Sequence, residues 1–442
     1  MQGTSDERLS REERERIQFG HLKTVLRSVE NRLPVIRERW RLAGVSASDL
    51  TDLEDLRHFP FMTQADLQET YPTGLFGAPL SQVARIHGSS GTRGKPTLVG
   101  YSRNDLEIWS ECVARSLALA GARPGELLHN AYGYGLFTGG LGLHQGAERL
   151  GLSVLPASGG LTLRQILLLD DLHPQGIACT PSYLVNIVET ARDMGKDPRG
   201  FGLRWAVLGA EPWSEGTRAF LEEATGADCL DIYGLSEVIG PGVASECHEA
   251  KSGLHIQEDH FLVEVLDPER HEPVPLGKVG ELCFTTLTRE VSPVVRYRTG
   301  DLASLTTETC ACGRTTARMS RVRGRTDDMI VVRGVNVFPS EVEAVLSQVE
   351  GLGPNWRMVL RRPRALDTVT VEVEGPGPDT SEGEGSLAWE RLKMRAERGL
   401  REKIGVAMAV SIVHRGVLPR SEGKTVRVRD EREPTEAVRP QS

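Results

Sequence analysis

Between about residues 80 and 240, short apolar runs (LSVLP, GIACTP, LRWAVLGAEP) alternate with amphipathic stretches such as PSYLVNIVETARDM and EGTRAFLEEATG. This alternation constrains the fold more than any other feature, because it predicts α/β layers around a largely parallel sheet. Ahead of it, residues 11 to 70 have helical character, with Leu22, Val25, Leu26 and Val29 at helix spacing. Ser46, Ser48 and Asp49 are capping candidates before FPFMTQADL. Between about 260 and 310, FLVEVLD, VGELCFTTL and DLASLTT are expected to be consecutive strands of a smaller β subdomain. From about 327 the pattern restarts with MIVVRGVNVFPSEVEAVL, a strand, a Gly turn and a capped helix, and TVTVEVEG and AMAVSIVH follow as strands. The expected fold class is α/β, with a large N-terminal domain over 1–326 and a small α+β C-terminal domain over 327–442. GPGPDTSEGEGS, 375–386, is a loop inside the second domain, and the charged end after Val428 is expected to fray.

A chain of 442 residues has room for about two to three domains, each with a useful core. Its 53 basic and 61 acidic residues give a formal charge of −8. No dense basic block offers the footprint that a phosphate backbone demands, so nucleic acid is not expected as a partner. No apolar run reaches the roughly 18 to 20 residues of a bilayer span. The first twenty residues are charged throughout and lack the apolar core of a signal peptide. Seven scattered cysteines are not the pattern of a secreted disulfide scaffold, so a reducing cytoplasm is the simplest expectation.

Glycine is in excess, 47 residues, and clusters at a few strand-to-helix junctions. The first cluster, HGSSGTRGKPT at His87 to Thr97, has the small residues, hydroxyls and single Lys that let backbone N–H groups converge on phosphate oxygens. It departs from the P-loop pattern, because Gly88 and Gly94 are separated by five residues and Lys95 precedes Pro96. In DIYGLSEVIGPG, Asp231 to Gly242, a Tyr can stack on a planar ring, Ser236 can donate to an anion and Glu237 can hold a hard divalent cation. In YRTGDL, Asp301 follows a Gly turn and could accept from two ribose hydroxyls. GRTDDMIVVRGVNVFP and LPRSEGK follow later in the chain.

Taken in order, these five segments resemble the core signatures of adenylate-forming enzymes. HGSSGTRGKPTLVGYS, NAYGYGLFTGGLGLHQGAERLG, YGLSEVIGPGVASEC, GRTDDMIVVRGVNVFPSEVE and LPRSEGK resemble the phenylacetate-CoA ligase family in particular, from roughly residue 10 to 430. The resemblance implies an ATP-dependent aryl-CoA ligase. A carboxylate attacks the ATP α-phosphate to give acyl-AMP and pyrophosphate, and the CoA thiol then displaces AMP. It further implies that Ser89, Ser90, Gly91, Thr92, Gly94 and Lys95 cradle the β/γ-phosphates, and that Glu237 holds Mg2+. Lys424 would bridge the carboxylate and the α-phosphate, and Ser236 would serve the same phosphate. Gly209, Ala210, Glu211 and Pro212 would line the adenine site beside Asp231, Ile232 and Gly234, with Tyr233 stacked on the base. Asp301 would take the ribose hydroxyls, and Arg325 the ribose or a phosphate. Arg93 stands where many relatives have Thr, a departure within the phosphate loop.

Asp327 falls at the family's hinge, so the C-terminal domain is expected to swing between the two half-reactions and to present Arg333, Gly334 and Val335 to CoA. The acyl pocket would be framed by Tyr134, Gly135 and Phe137, by Gly209 and Ala210, and by Ile239, Gly240 and Pro241, an apolar and aromatic set suited to a flat ring. His144 is open to two readings, a contact to a ring substituent or a structural histidine. Cys247 and His255, with Cys310 and Cys312, have the donor types of a structural zinc site, with His248 as an alternative ligand and free thiols or a redox pair as alternatives to zinc. A carrier-protein thiol in place of CoA, a homodimer and a catalytically silent nucleotide-binding protein are the other readings left open.

Overall fold

The protein is described by a computed structural model covering residues 5–89, 96–332, 335–362, 367–376, 386–421 and 425–432. It divides into two compact units, one formed by Met1–Ala210 and Leu221–Val322, the other by Glu211–Phe220 and Arg323–Ser442. The division falls between Val322 and Arg323, just before the expected 326/327 boundary. Among the described residues no helix is long and apolar enough to cross a membrane.

The first unit is built on a nine-stranded sheet. Its parallel half runs Asp228–Leu235, Trp205–Gly209, Gly176–Cys179, Leu127–Asn130 and Ser153–Leu155 in spatial order. GIAC and WAVLG are buried at every residue, as strands covered on both faces must be. Gly240–Ser245 and Leu254–Ile256 extend this sheet antiparallel. Helices Arg103–Leu119 and Gly139–Leu150 pack closely because the second presents glycines one turn apart. A Cβ on Gly142 would stand 2.3 Å from the Trp109 ring, and one on Gly146 would stand 2.3 Å from Val113.

Phe261–Leu266, Gly280–Thr286 and Tyr297–Ala303 pair antiparallel in succession, as the smaller β unit requires. DLASLTT is not one strand of it. The chain leaves at Ser304, whose backbone exchanges hydrogen bonds with Ser320, and Leu305–Thr306 joins the edge of the large sheet beside Arg318–Met319. Near the N-terminus Ser10 and Glu13 form a capping box for Arg11–Arg32, whose Leu22, Leu26 and Val29 are fully buried. Ser46 and Asp49 cap only the single turn Ala47–Asp49; Thr63, with Asp66, caps Gln64–Glu69.

In the second unit the sheet order is Ala409–Val413, Thr368–Glu374, Trp356–Arg361 and Val428–Asp430. TVTVEVE alternates so that Val369, Val371 and Val373 face a core shared with Val342, Leu346 and Leu400 of helices Pro339–Leu346 and Leu387–Ile404. The expected fraying after Val428 does not occur at once. Val428–Asp430 pairs parallel with Met358–Leu360, and Glu431 takes Arg361 at 2.7 Å, so the charges are partnered across strands. Most of the 375–386 loop, 377–385, lies outside the described residues.

Candidate active site

In the first unit the strand Arg85–Ser89 runs antiparallel to Thr97–Tyr101 and ends at the small-residue loop. The Ser89 hydroxyl donates to Glu237 Oε1 at 2.7 Å. Ser90, Gly91, Thr92, Arg93, Gly94 and Lys95 lie outside the described residues, as do Arg333, Gly334 and Lys424. Glu237 is 6% exposed, and beside it Ser236 shares a 3.1 Å hydrogen bond with Thr138. The two segments that carry hydroxyls and carboxylate are therefore brought together although they are far apart in sequence.

The turn holding Glu237 is fixed through three carbonyls. Arg289 Nη1 donates to Val238 O at 2.6 Å, the Tyr101 hydroxyl to Ile239 O at 2.9 Å, and Trp109 Nε1 to Pro241 O at 2.9 Å. The Arg289 guanidinium lies 4.2 Å from the Tyr101 ring centre, and Tyr101 stacks on Trp109. Burial pushes the Tyr101 phenol up to about 12, so it remains a donor at neutral pH. Sequence reasoning missed all three residues. Trp109 and Arg289 lie in no motif and Tyr101 only stands near the end of the HGSSGTRGKPTLVGYS run; the roles of all three exist only through contacts across more than a hundred residues or, for Arg289, across 51.

Tyr233 donates to Asp301 Oδ2 at 2.7 Å, and Phe284 packs on its ring at 6.0 Å. Asp301 follows Gly300, whose φ of +78° makes the turn that aims the carboxylate. Asp231 is held by Arg321 at 3.3 Å, and its N–H donates to Glu246. Gly209 pairs with Ile232 so closely that a Cβ would stand 2.2 Å from the Ile232 carbonyl. Ala210 follows at φ +72°, a conformation L residues rarely adopt outside turns and functional sites.

The 131–138 loop is pinned to the strand before the phosphate loop, because Leu136 O accepts from Gly88 N at 2.9 Å and faces His87 Nδ1 at 3.0 Å. The Tyr134 hydroxyl accepts from Asn130 at 2.7 Å and stands 3.0 Å from His144 Nδ1; His144 Nε2 meets Glu148 at 3.1 Å. Burial raises the Tyr134 phenol to about 12. Phe137 is 56% exposed, and Gly135 is exposed beside it. Ile239 is buried, and Gly240 takes φ +113° at the same turn.

In the second unit Arg325 pairs with Asp327 at 2.8 Å, Val335 opens the strand Val335–Val337, and Glu211 accepts from the Thr425 N–H at 2.9 Å. Pro212 lines a 790 Å³ cavity of this unit together with Asp327, Trp356 and Thr425.

A separate group in the first unit collects Cys247, His255, Cys310 and Cys312, whose ligand atoms all lie within 4.8 Å of one another. Cys247 Sγ and Cys310 Sγ are 3.8 Å apart, and Cys312 Sγ is 3.5 Å from His255 Nε2. Thr316 holds the other ring nitrogen of His255 at 2.8 Å. Burial and the nearby Arg314 and Arg318 push His255 down to about 3, so its imidazole is neutral at pH 7. Burial opposes ionisation of Cys312, but hydrogen bonds from the Arg314 backbone and side chain outweigh it and lower the thiol. His248 is exposed and stands outside this group.

Residues 81–288 match the family model for AMP-binding enzymes, and residues 334–432 match the model for the AMP-binding enzyme C-terminal domain. The fold and the two matched segments together define an adenylate-forming enzyme. A crystal structure of 2-hydroxyisobutyryl-CoA ligase, in the postadenylation state with R3-HIB-AMP, superposes with a TM-score of 0.90 at 31% identity, covering 96% of this chain and 91% of that one. Phenylacetate-coenzyme A ligase of Thermus thermophilus is 50% identical over 431 residues, 95% of this chain and 97% of its own. The Escherichia coli K12 enzyme of the same name is 46% identical over 428 residues, 96% of each chain. The chain belongs to the phenylacetate-coenzyme A ligase family. It is an AMP-forming acid–thiol ligase of the aryl-CoA type, with ATP and CoA as substrates and an acyl-AMP intermediate.

Proposed function

We propose that the aromatic acid is phenylacetate, bound against Tyr134, Gly135, Phe137, Gly209, Ala210, Ile239, Gly240 and Pro241. The observation that carries this reading is the 131–138 loop. It sets apolar and aromatic groups beside a phenol whose oxygen is already occupied by Asn130 and His144, leaving few polar groups for the acid's ring. The likeness to relatives named for phenylacetate supports it.

Within this reading Ser89, Ser90, Gly91, Thr92, Gly94 and Lys95 bind the β/γ-phosphates. Glu237 fits a hard cation, since it is a buried carboxylate with one oxygen fixed by Ser89. Mg2+ held there would neutralise charge on the phosphates. Asp301 accepts from the ribose, Tyr233, Asp231, Ile232, Gly234, Glu211 and Pro212 surround the base, and Arg325 and Ser236 serve ribose and α-phosphate. Lys424 bridges carboxylate and α-phosphate during adenylation. Rotation at Asp327 then replaces it with the Arg333 to Val337 turn for thioester formation. The acceptor is free CoA rather than a carrier protein, the protein works in the cytoplasm, and it forms a homodimer.

The test is pyrophosphate release over a panel of aromatic and aliphatic acids, with and without CoA, in the wild type and in Lys424→Ala. Release that is greatest with phenylacetate and lost in the variant is expected. Preference for an aliphatic acid would overturn the substrate, and silence across the panel would leave a nucleotide-binding protein without ligase chemistry.

The Cys247, His255, Cys310 and Cys312 group is read as a structural zinc site. Tetrahedral Zn2+ with bonds of about 2.3 Å to sulfur and about 2.0 Å to nitrogen separates two sulfurs by about 3.8 Å and a sulfur from a nitrogen by about 3.5 Å. The 3.8 Å and 3.5 Å separations fit that ion. With four protein ligands no position is left for substrate, so the metal would tie Leu254–Ile256 to the 310–312 turn. Metal analysis of protein purified without chelator should give one zinc per chain; no stoichiometric zinc removes the assignment.

A further inference from the structure

Glu374 ends the strand Thr368–Glu374 and is 1% exposed. A carboxylate so deeply buried needs donors on both oxygens. Oε1 accepts from the Gly416 N–H at 2.9 Å, the Leu418 N–H at 3.2 Å and Arg420 Nη1 at 2.8 Å. Oε2 accepts from Arg420 Nη2 at 2.8 Å and Asn355 Nδ2 at 3.4 Å. Most of these donors come from residues 416–420, where LPRSEGK begins and where no helix or strand holds the chain. The carboxylate therefore does for this loop what a ladder of backbone hydrogen bonds does for a strand.

The chain is held again beyond the loop. Arg427 Nη1 donates to Trp356 O at 3.0 Å with its guanidinium 4.9 Å from the Trp356 ring, and Val428–Asp430 pairs with Met358–Leu360. Lys424 stands four residues after Arg420 and three before Arg427 in the sequence. The described segments on both sides of residues 422–424 are therefore held, one by the Glu374 carboxylate and the other by Trp356 and the strand pairing.

We propose that Glu374, through its bidentate pair with Arg420, is a positioning residue that sets the reach of Lys424 for acyl-AMP formation without touching substrate. The inference rests on the reading of Lys424 as the adenylation lysine. A buried ion pair stabilises a fold no better than an apolar pair of the same shape. What the pair adds is the fixed fork geometry of Arg and carboxylate.

The test uses the full chain with Glu374→Gln, Arg420→Lys and Lys424→Ala. Pyrophosphate release with ATP and phenylacetate reads the first half-reaction, thioester formation from supplied phenylacetyl-AMP and CoA reads the second, and amide hydrogen exchange is followed at Gly416 and Leu418. Glu374→Gln is expected to slow acyl-AMP formation at least tenfold, to leave thioester formation within twofold, and to speed exchange at both amides. Arg420→Lys, at a side chain 23% exposed, should repeat the pattern more weakly and decides the matter if Glu374→Gln does not fold. Equal loss in both half-reactions would make Glu374 merely structural, and unchanged adenylation would remove its role. Intact adenylation in Lys424→Ala would remove the reading of Lys424, and this inference with it; its loss there beside an unaffected Glu374→Gln would overturn the inference alone.

Discussion

Ser89 Oγ donates to Glu237 Oε1 at 2.7 Å, joining residues 148 apart in sequence. The bond fixes one carboxylate oxygen and aims the other away from the hydroxyl. If Glu237 holds the cation, Glu237→Gln should lower acyl-AMP formation by about 10²–10³-fold, the scale of losing a preorganised charge-stabilising group. It should also raise the Mg2+ concentration needed for half-maximal rate. Ser89→Ala should cost much less. Pyrophosphate release titrated with Mg2+ reads both, and an unchanged Mg2+ dependence in Glu237→Gln would place the cation elsewhere.

Asp327 offers a test of the hinge. Proline there fixes φ and restricts Thr326 before it, so rotation about this point is blocked. Asp327→Pro should spare acyl-AMP formation and depress thioester formation at least tenfold. Asp327→Ala, which loses the pair to Arg325 but keeps φ free, should leave both half-reactions intact. Parallel loss of both half-reactions in the proline variant would sink the idea.

Gly142 is a packing constraint with a reading in stability. A Cβ would stand 2.3 Å from the Trp109 ring, which is itself tied to Pro241 O. Gly142→Ala should destabilise by about 1–3 kcal/mol through overpacking and should raise the KM for the acid, since the 240–241 turn moves with Trp109. Gly20→Ala is the control, because nothing lies within 4 Å of its Cβ in the middle of a helix. Thermal melts of the two variants should move in opposite directions.

His129 gives a pH dependence whose sign can be worked out. It is fully buried, shares one ring nitrogen with Gln165 at 2.5 Å, and has no partner on Nδ1 among the described residues. Burial holds its folded pKa below the ordinary 6.5. Below pH 6.5 the unfolded chain therefore binds a proton that the folded chain refuses, and stability falls as pH falls. The drop in melting temperature between pH 7.5 and 5.5 should be smaller in His129→Gln than in the wild type. Equal drops would show that His129 takes no part.

The layered α/β character, the helix over 11–32 and the alternating strand at 368–374 were legible in the sequence, because burial on one face or two writes itself into local periodicity. The order of the five motifs pointed to the enzyme family for a similar reason: each is a short run of neighbours. Tertiary structure alone decided the contacts between distant segments. Arg289, Tyr101 and Trp109 close on the carbonyls at 238, 239 and 241, and Glu374 clamps the 416–420 segment. The DLASLTT run was divided between two sheets, and Val428–Asp430 was drawn into another, by strand pairing that no local pattern records. The physical reason is common to all of these. Periodicity depends on residues two to four apart along the chain, whereas a hydrogen bond across a dozen or more residues depends on which faces the completed fold brings together.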